Sequence, residues 1–170
     1  MTDPKLSKKI CLVGDFGVGK TSLVRRFVDR SFSDQYLTTV GVKISRKLVE
    51  INPQSLQLLI WDLEGSSKFK AISATHLQGA SGAIIVADLS RAETVKHLED
   101  HIHTFLTINP KGMIIVALNK TDLVTTEAIA QVQKMPELND PTKILGVYPT
   151  SAKTGDSVDQ IFTKLAIAIL

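Results

Sequence analysis

Apolar residues along this chain follow two alternating rhythms. Lys9-Ile-Cys-Leu-Val13, Gly82-Ala-Ile-Ile-Val-Ala87 and Met113 to Leu118 are short runs with almost no polar interruption. Runs of this kind predict strands buried on both faces, as parallel sheets contain. Between them the spacing changes. Leu23, Val24, Phe27 and Val28 stripe one face of a helix from Lys20 to Arg30. Val95, Leu98, Ile102 and Phe105 do the same from Arg91 to Ile108. Val40 to Ile51 and Leu56 to Trp61 are β-rich and meet near Asn52-Pro53, which predicts a hairpin. Ile144 to Tyr148 reads as a last strand, and Val158, Ile161, Phe162 and Leu165 stripe a closing helix. Six strands alternating with helices predict a three-layer α/β fold. Its sheet should be mostly parallel, with one antiparallel edge strand. Ligands of such sheets bind beyond the carboxyl ends of the strands, so the loops that follow strands hold the candidate chemistry.

Length and composition narrow this picture only a little. At 170 residues the chain predicts a single domain, residues 1–170, with enough length for a core. Hydrophobic residues at 44% and charged residues at 22% exclude a disordered or collagen-like chain. Twenty Lys+Arg against 17 Asp+Glu leave a net charge of +3, spread along the chain, which gives no footprint for nucleic acid. Cys11 is the single cysteine, so no internal disulfide or cysteine-based zinc site is expected. That usage suits a reducing, cytoplasmic setting. No apolar run reaches membrane-span length, and Met1 to Lys5 does not open a signal peptide. The terminal Ala168-Ile169-Leu170 carries no cysteine, so no prenyl anchor is expected.

Gly14-Asp15-Phe16-Gly17-Val18-Gly19-Lys20-Thr21 fits the spacing G-x-x-x-x-G-K-[ST], and Ser22 follows it. It lies between a predicted strand and a predicted helix, the context a phosphate-binding loop requires. Glycines let backbone N–H groups close on phosphate, and the helix N-terminus adds partial positive charge. Lys20 should reach the β- and γ-phosphates, and the Thr21 hydroxyl should bind Mg²⁺. Asn119-Lys120-Thr121-Asp122 follows the strand ending at Leu118, and Ser151-Ala152-Lys153 follows the last strand. Each of these short motifs alone also suits a helix cap or a loop. All three occur in order after the right strands.

In this order the motifs resemble the small GTPases of the Ras superfamily, and most closely the Rab branch, whose relatives include bacterial Rab-like proteins. Thr38-Thr-Val-Gly-Val42, Trp61-Asp62 and Gly79-Ala80 carry the Rab likeness. The resemblance implies a P-loop G domain that binds GTP and GDP with Mg²⁺. It implies that Asp122 accepts two hydrogen bonds from guanine and that Lys120 covers the base. Asn119 would tie loops together, and Ser151, Ala152 and Lys153 would offer backbone to the guanine oxygen. Phe32 matches an aromatic residue packed against the base. Thr39 matches a threonine that meets Mg²⁺ and the γ-phosphate, Asp62 an aspartate that holds Mg²⁺ through water, and Gly65 a glycine whose N–H contacts the γ-phosphate.

Three positions depart from the family pattern. Phe16 stands where a small residue is usual. Leu63-Glu64-Gly65-Ser66 replaces Thr-Ala-Gly-Gln, so Ser66 stands where a glutamine orients the attacking water. Serine is too short for that task, and slow hydrolysis is expected because phosphoryl transfer depends on positioning. Glu64 would repel a γ-phosphate unless it points away. Gly41-Val42-Lys43-Ile44 and Leu77 alter the face that Rab effectors use, so the usual effectors are not expected. The leading expectation is a Mg²⁺-dependent guanine-nucleotide switch with weak GTP hydrolysis, whose catalytic set is Lys20, Thr39, Gly65 and Ser66. Its partners would be a protein effector and a GAP or exchange factor. The alternative is a pseudo-GTPase, an interaction module held in one nucleotide state. A nucleotide kinase on the same fold is a third possibility, but no basic lid or acceptor site is visible.

Some residues are set aside. His97 and His101 are spaced i, i+4 and would suit a metal, but with no third ligand evident they read as a solvated helix face. Lys5, Lys8 and Lys9 read as terminal solvation. Cys11 reads as an inert core residue.

Overall fold

The computed structural model describes residues 6–35, 38–67 and 71–170; Met1 to Lys5, including the expectation for Lys5, lie outside them. Six strands form one sheet in the order β2-β3-β1-β4-β5-β6. They are β1 (Leu6–Gly14), β2 (Val42–Ile51), β3 (Gln54–Leu63), β4 (Gly82–Asp88), β5 (Met113–Asn119) and β6 (Ile144–Pro149). The β2–β3 pair is antiparallel, from Val42 opposite Leu63 to Ile51 opposite Gln54. The other pairs are parallel. The expected hairpin, parallel centre and antiparallel edge are therefore all present.

Burial explains the central strands. Every residue of β4 is buried, and β5 is buried from Ile114 onward. Alternate side chains feed two cores. Ile10, Leu12, Ile84 and Ile115 face α1 (Lys20–Asp29) and α6 (Val158–Ile169), where Phe27 and Phe162 stack with centroids 4.2 Å apart. Cys11, Val13, Ile85 and Val116 face the opposite layer, with Leu98, Ile102 and Phe105. Cys11 is wholly buried, and burial pushes its thiol up to about 12, in keeping with an inert core residue.

The helical layers hold the differences from the sequence reading. The helix expected from Arg91 to Ile108 is two helices, α3 (Ala92–Lys96) and α4 (Leu98–Ile108), joined at His97. Neither proline nor glycine marks the joint. Two helices carry no strong apolar stripe and were not anticipated: α2 (Ala74–Leu77) and α5 (Thr126–Gln133), the latter with no buried residue. Lys9 does more than solvate a terminus. Its ammonium lies 3.6 Å from the Trp61 ring centroid and donates to the Gln78 carbonyl at 2.7 Å. Among the described residues no helix is long and apolar enough to cross a membrane. The carboxyl ends of β1, β3, β5 and β6 all deliver loops to the same rim, and the site is built there.

Candidate functional site

At the end of β1 the chain must turn back sharply into α1. Gly17 and Gly19 take the left-handed backbone this requires, with φ of 75° and 99°. A Cβ on Gly19 would sit 2.4 Å from the Asn119 side-chain nitrogen. The loop therefore closes only with glycine. Lys20 begins the helix and folds back over the loop, donating to the carbonyls of Gly14 (3.3 Å) and Asp15 (3.0 Å). It is only 6% exposed, and burial lowers its ammonium to about 8 against the opposing pull of Asp62 and Asp15. A buried cation at a helix N-terminus favours an anion beside it.

Asp62 comes from the end of β3 and is 1% exposed. Burial raises its carboxyl, while hydrogen bonds from Thr21 and Thr39 and the charges of Lys20 and Lys43 work the other way. Its Oδ2 accepts from the hydroxyls of Thr21 (2.5 Å) and Thr39 (3.3 Å), which are themselves 2.5 Å apart. Its Oδ1 is buried without a hydrogen-bond partner among the described residues. An orphaned carboxylate oxygen is costly. Two hydroxyls and one carboxylate with an unpaired oxygen suit a small hard cation that takes its remaining ligands from phosphate and water. No cluster of three His, Cys, Asp or Glu residues able to hold a metal exists among the described residues. The chemistry of this corner suits a cation shared with phosphate better than an all-protein cage.

The loops after β5 and β6 form the opposite end. Asn119 donates to the Val18 carbonyl (3.0 Å) and accepts from the Thr150 hydroxyl (3.1 Å). Lys120 reaches the Gly17 carbonyl at 3.1 Å and the Asp88 carboxylate at 2.9 Å. Asp122 accepts from Ser151 Oγ at 2.8 Å through one oxygen. Arg26 from α1 donates to the carbonyls of Ala152 (2.8 Å) and Lys153, fixing that loop against the helix.

The segment after Asp62 lies hard against the phosphate loop. Phe16 N–H donates to the Ser66 carbonyl (2.9 Å), and Ser66 N–H to the Gly14 carbonyl (3.2 Å). Gly65 packs so tightly that a Cβ would meet Phe16 Cα at 2.4 Å. The Ser66 hydroxyl donates to Asp15 Oδ1 at 3.2 Å. Glu64 is turned toward Gly41: its N–H donates to the Gly41 carbonyl (2.8 Å), and its carboxylate accepts from Gly41 N–H (3.1 Å).

One cavity of about 340 Å³ runs between these two ends. Phe16, Gly17, Gly19, Lys20, Thr21 and Ser22 line it from the first loop, and Phe32, Thr39 and Gly65 from the middle. Asn119, Lys120, Asp122, Ala152 and Lys153 close the far end. The other candidates lie behind this surface. Val18 and Ser151 are wholly buried, Gly14 supports the loop from β1, and Asp62 stands beneath the threonines. Asp15 and Ser66 pair with each other.

Several lining residues had no signal in the sequence: Ser33, Asp34, Gln35, Leu63 and Leu123. The histidines correct an expectation. His101 is buried, not solvated, and both His97 and His101 bond Asp15. The hint was present in the spacing, since His101 stands three residues after Leu98 and four before Phe105, beside the buried stripe. Its partner is 86 positions away, where no local pattern reaches. Arg91 was missed in the same way, and it donates to the Phe16 carbonyl at 2.6 Å.

The Ras family model matches residues 9–170. The chain is 34% identical over 167 residues to "Ras-related protein Rab-1" of Theileria annulata, covering 95% of this chain and 73% of that protein. It is 33% identical over 162 residues to "Ras-related protein Rab-1C" of Dictyostelium discoideum, covering 93% and 78%. To "Ras-related protein Rab-13" of Canis lupus familiaris it is 32% identical over 164 residues, covering 95% and 79%. With the motifs in order on this fold, the chain belongs to the Ras family, as a Rab-like small GTPase that binds guanine nucleotide.

Proposed function

We propose that this chain is a Mg²⁺-dependent guanine-nucleotide switch whose own GTP hydrolysis is slow. The observation that carries the slow step is Ser66. Its hydroxyl is engaged by Asp15 at 3.2 Å, and its backbone is bridged to Gly14 and Phe16. Serine brings no side-chain amide to position 66 to orient a water, and phosphoryl transfer depends on that orientation.

The rest of the cavity suits the binding half of the role. Asp122 keeps one carboxylate oxygen on Ser151 and offers the other to a donor pair such as guanine presents. Lys20 sets an ammonium against the β- and γ-phosphates. Thr21, Thr39 and Asp62 would hold Mg²⁺, which when bound neutralises phosphate charge. Gly65 would give its N–H to the γ-phosphate. Glu64 directs its carboxylate to Gly41 N–H, which relieves the repulsion expected beside that phosphate. Phe16 is 43% exposed and lines the cavity, in the path of any arginine supplied by a GAP.

The Glu64–Gly41 contact also favours a second reading. It clips the segment bearing Thr39 to the segment bearing Gly65 through protein atoms alone. A pseudo-GTPase held in one shape would use such a clip.

Single-turnover hydrolysis of loaded GTP with Mg²⁺ tests both readings, after chromatography of the nucleotide carried by the purified protein. Retained GTP decaying over hours supports the slow switch. GTP cleared within minutes overturns it, and no turnover at all, even with Ser66→Gln, favours the second reading.

A further inference from the structure

Behind the phosphate loop lies a cluster of ionisable side chains that nucleotide recognition does not use directly. His97 stands at the joint between α3 and α4, and His101 one turn later. His97 Nδ1 lies 2.5 Å from Asp15 Oδ2, and His101 Nε2 lies 2.8 Å from Asp15 Oδ1. Each carboxylate oxygen thus receives its own imidazole. The rings meet edge to face, with centroids 6.4 Å apart. Asp15 is held below the usual carboxylate range: burial alone would raise it, but the hydrogen bonds and charge of the two histidines outweigh that. The neighbouring cations serve other atoms. Lys20 bonds the Asp15 backbone carbonyl, and Arg91 bonds the Phe16 carbonyl and the Asp88 carboxylate.

The carboxylate is also what Ser66 holds. Oδ1 takes the Ser66 hydroxyl at 3.2 Å, beside the two backbone hydrogen bonds that bridge Ser66 to Gly14 and Phe16. Gly65, the next residue back, lies directly against the Phe16 backbone, which fills the space where a side chain would stand. A line of contacts therefore runs from α4 through Asp15 to Ser66, which is joined covalently to Gly65. A carboxylate with both oxygens fixed is a rigid acceptor, and a rigid acceptor sets where its donor sits.

We propose that His97 and His101 are positioning residues for recognition of the terminal phosphate of GTP. By fixing both oxygens of Asp15 they hold Ser66, and with it the Gly65 N–H, in register on the phosphate loop. This rests on the reading that Gly65 meets the γ-phosphate. It follows that the histidines govern the preference for triphosphate over diphosphate rather than nucleotide binding in general. A role confined to packing would weaken both nucleotides together.

The test compares affinities for fluorescent GDP and for a fluorescent non-hydrolysable GTP analogue, with Mg²⁺, on the full chain. His97→Ala combined with His101→Leu should weaken the analogue about tenfold relative to GDP, ~1.4 kcal/mol. His97→Asn with His101→Gln places amide nitrogens where Nδ1 and Nε2 now stand, and should restore the preference to within about twofold. His97 is half-exposed, so His97→Ala alone should fold normally and lose about threefold. Equal weakening of both nucleotides, no change in the preference, or failure of the Asn/Gln pair to rescue it would each overturn the proposal. A wild-type protein with no triphosphate preference would instead overturn the reading of Gly65.

Discussion

The two ends of the cavity are built by different rules. At the base end, Asn119 and Lys120 bond carbonyls of the first loop, and Ser151 bonds Asp122. Their residue types match the family pattern throughout. At the phosphate end, Phe16, Glu64 and Ser66 break that pattern, yet each has a place: Phe16 N–H on the Ser66 carbonyl, Glu64 on Gly41, and Ser66 on Asp15. Glu64 and Ser66 thus make side-chain contacts of their own, whereas Phe16 joins through its backbone and, 43% exposed, lines the cavity. On the function proposed above, recognition of the base and handling of the γ-phosphate become separable, the first keeping the family's residue types and the second departing from them.

The sharpest way to break the comparison is at the base end. Asp122→Ala removes the carboxylate that should meet guanine, and affinity for GDP should fall on the order of 10³-fold. Titration of fluorescent GDP measures it; a loss under tenfold would mean the base end does not discriminate as its residues suggest. At the phosphate end, Gly65→Ala forces a methyl into Phe16 backbone. The segment must move off the loop, so affinity for a GTP analogue should drop by about thirtyfold while GDP changes little. Isothermal titration with both ligands separates the two ends directly. Ser66→Gln restores an amide where water must be oriented, and single-turnover hydrolysis should rise about tenfold.

The smallest effect is in pH. Burial lowers Lys20 to about 8, well under its unfolded value. Between about 8 and 10.4 the unfolded chain therefore binds more protons than the folded one, so stability without nucleotide rises with pH across that window. Phosphate favours the ammonium, so nucleotide affinity moves the opposite way. It should decline a few-fold between about pH 8 and 9.5. Thermal denaturation and GDP titration across that range check the two opposed slopes.

The parts legible in the sequence are those that periodicity or a glycine spacing records. Central strands such as Gly82 to Ala87 are apolar at every position because both faces are covered, and no other local pattern explains them. The phosphate loop is legible because glycine is required at Gly14, where a Cβ would meet the Val86 carbonyl at 2.5 Å, and at Gly19, where φ is 99°. The α3–α4 joint was invisible because His97 ends one helix without a breaker residue. The α5 helix was faint because it is short and only partly buried, with Val132 packing at the edge of the core. The histidine pair was misread because local sequence shows what a helix carries but not what approaches it. Asp15 arrives from the end of β1, which lies beside β4 in the sheet but is distant in sequence from the histidines, and only the fold brings the three together.

Asn119 has a consequence for how the protein opens. One buried side chain bonds the first loop at Val18 and the loop after β6 at Thr150, and Lys120 adds a second tie at Gly17. Neither loop can swing outward while those ties stand. Local unfolding at the rim is therefore cooperative, with the two loops forming a single opening unit whose amide protons exchange together rather than one loop fraying ahead of the other.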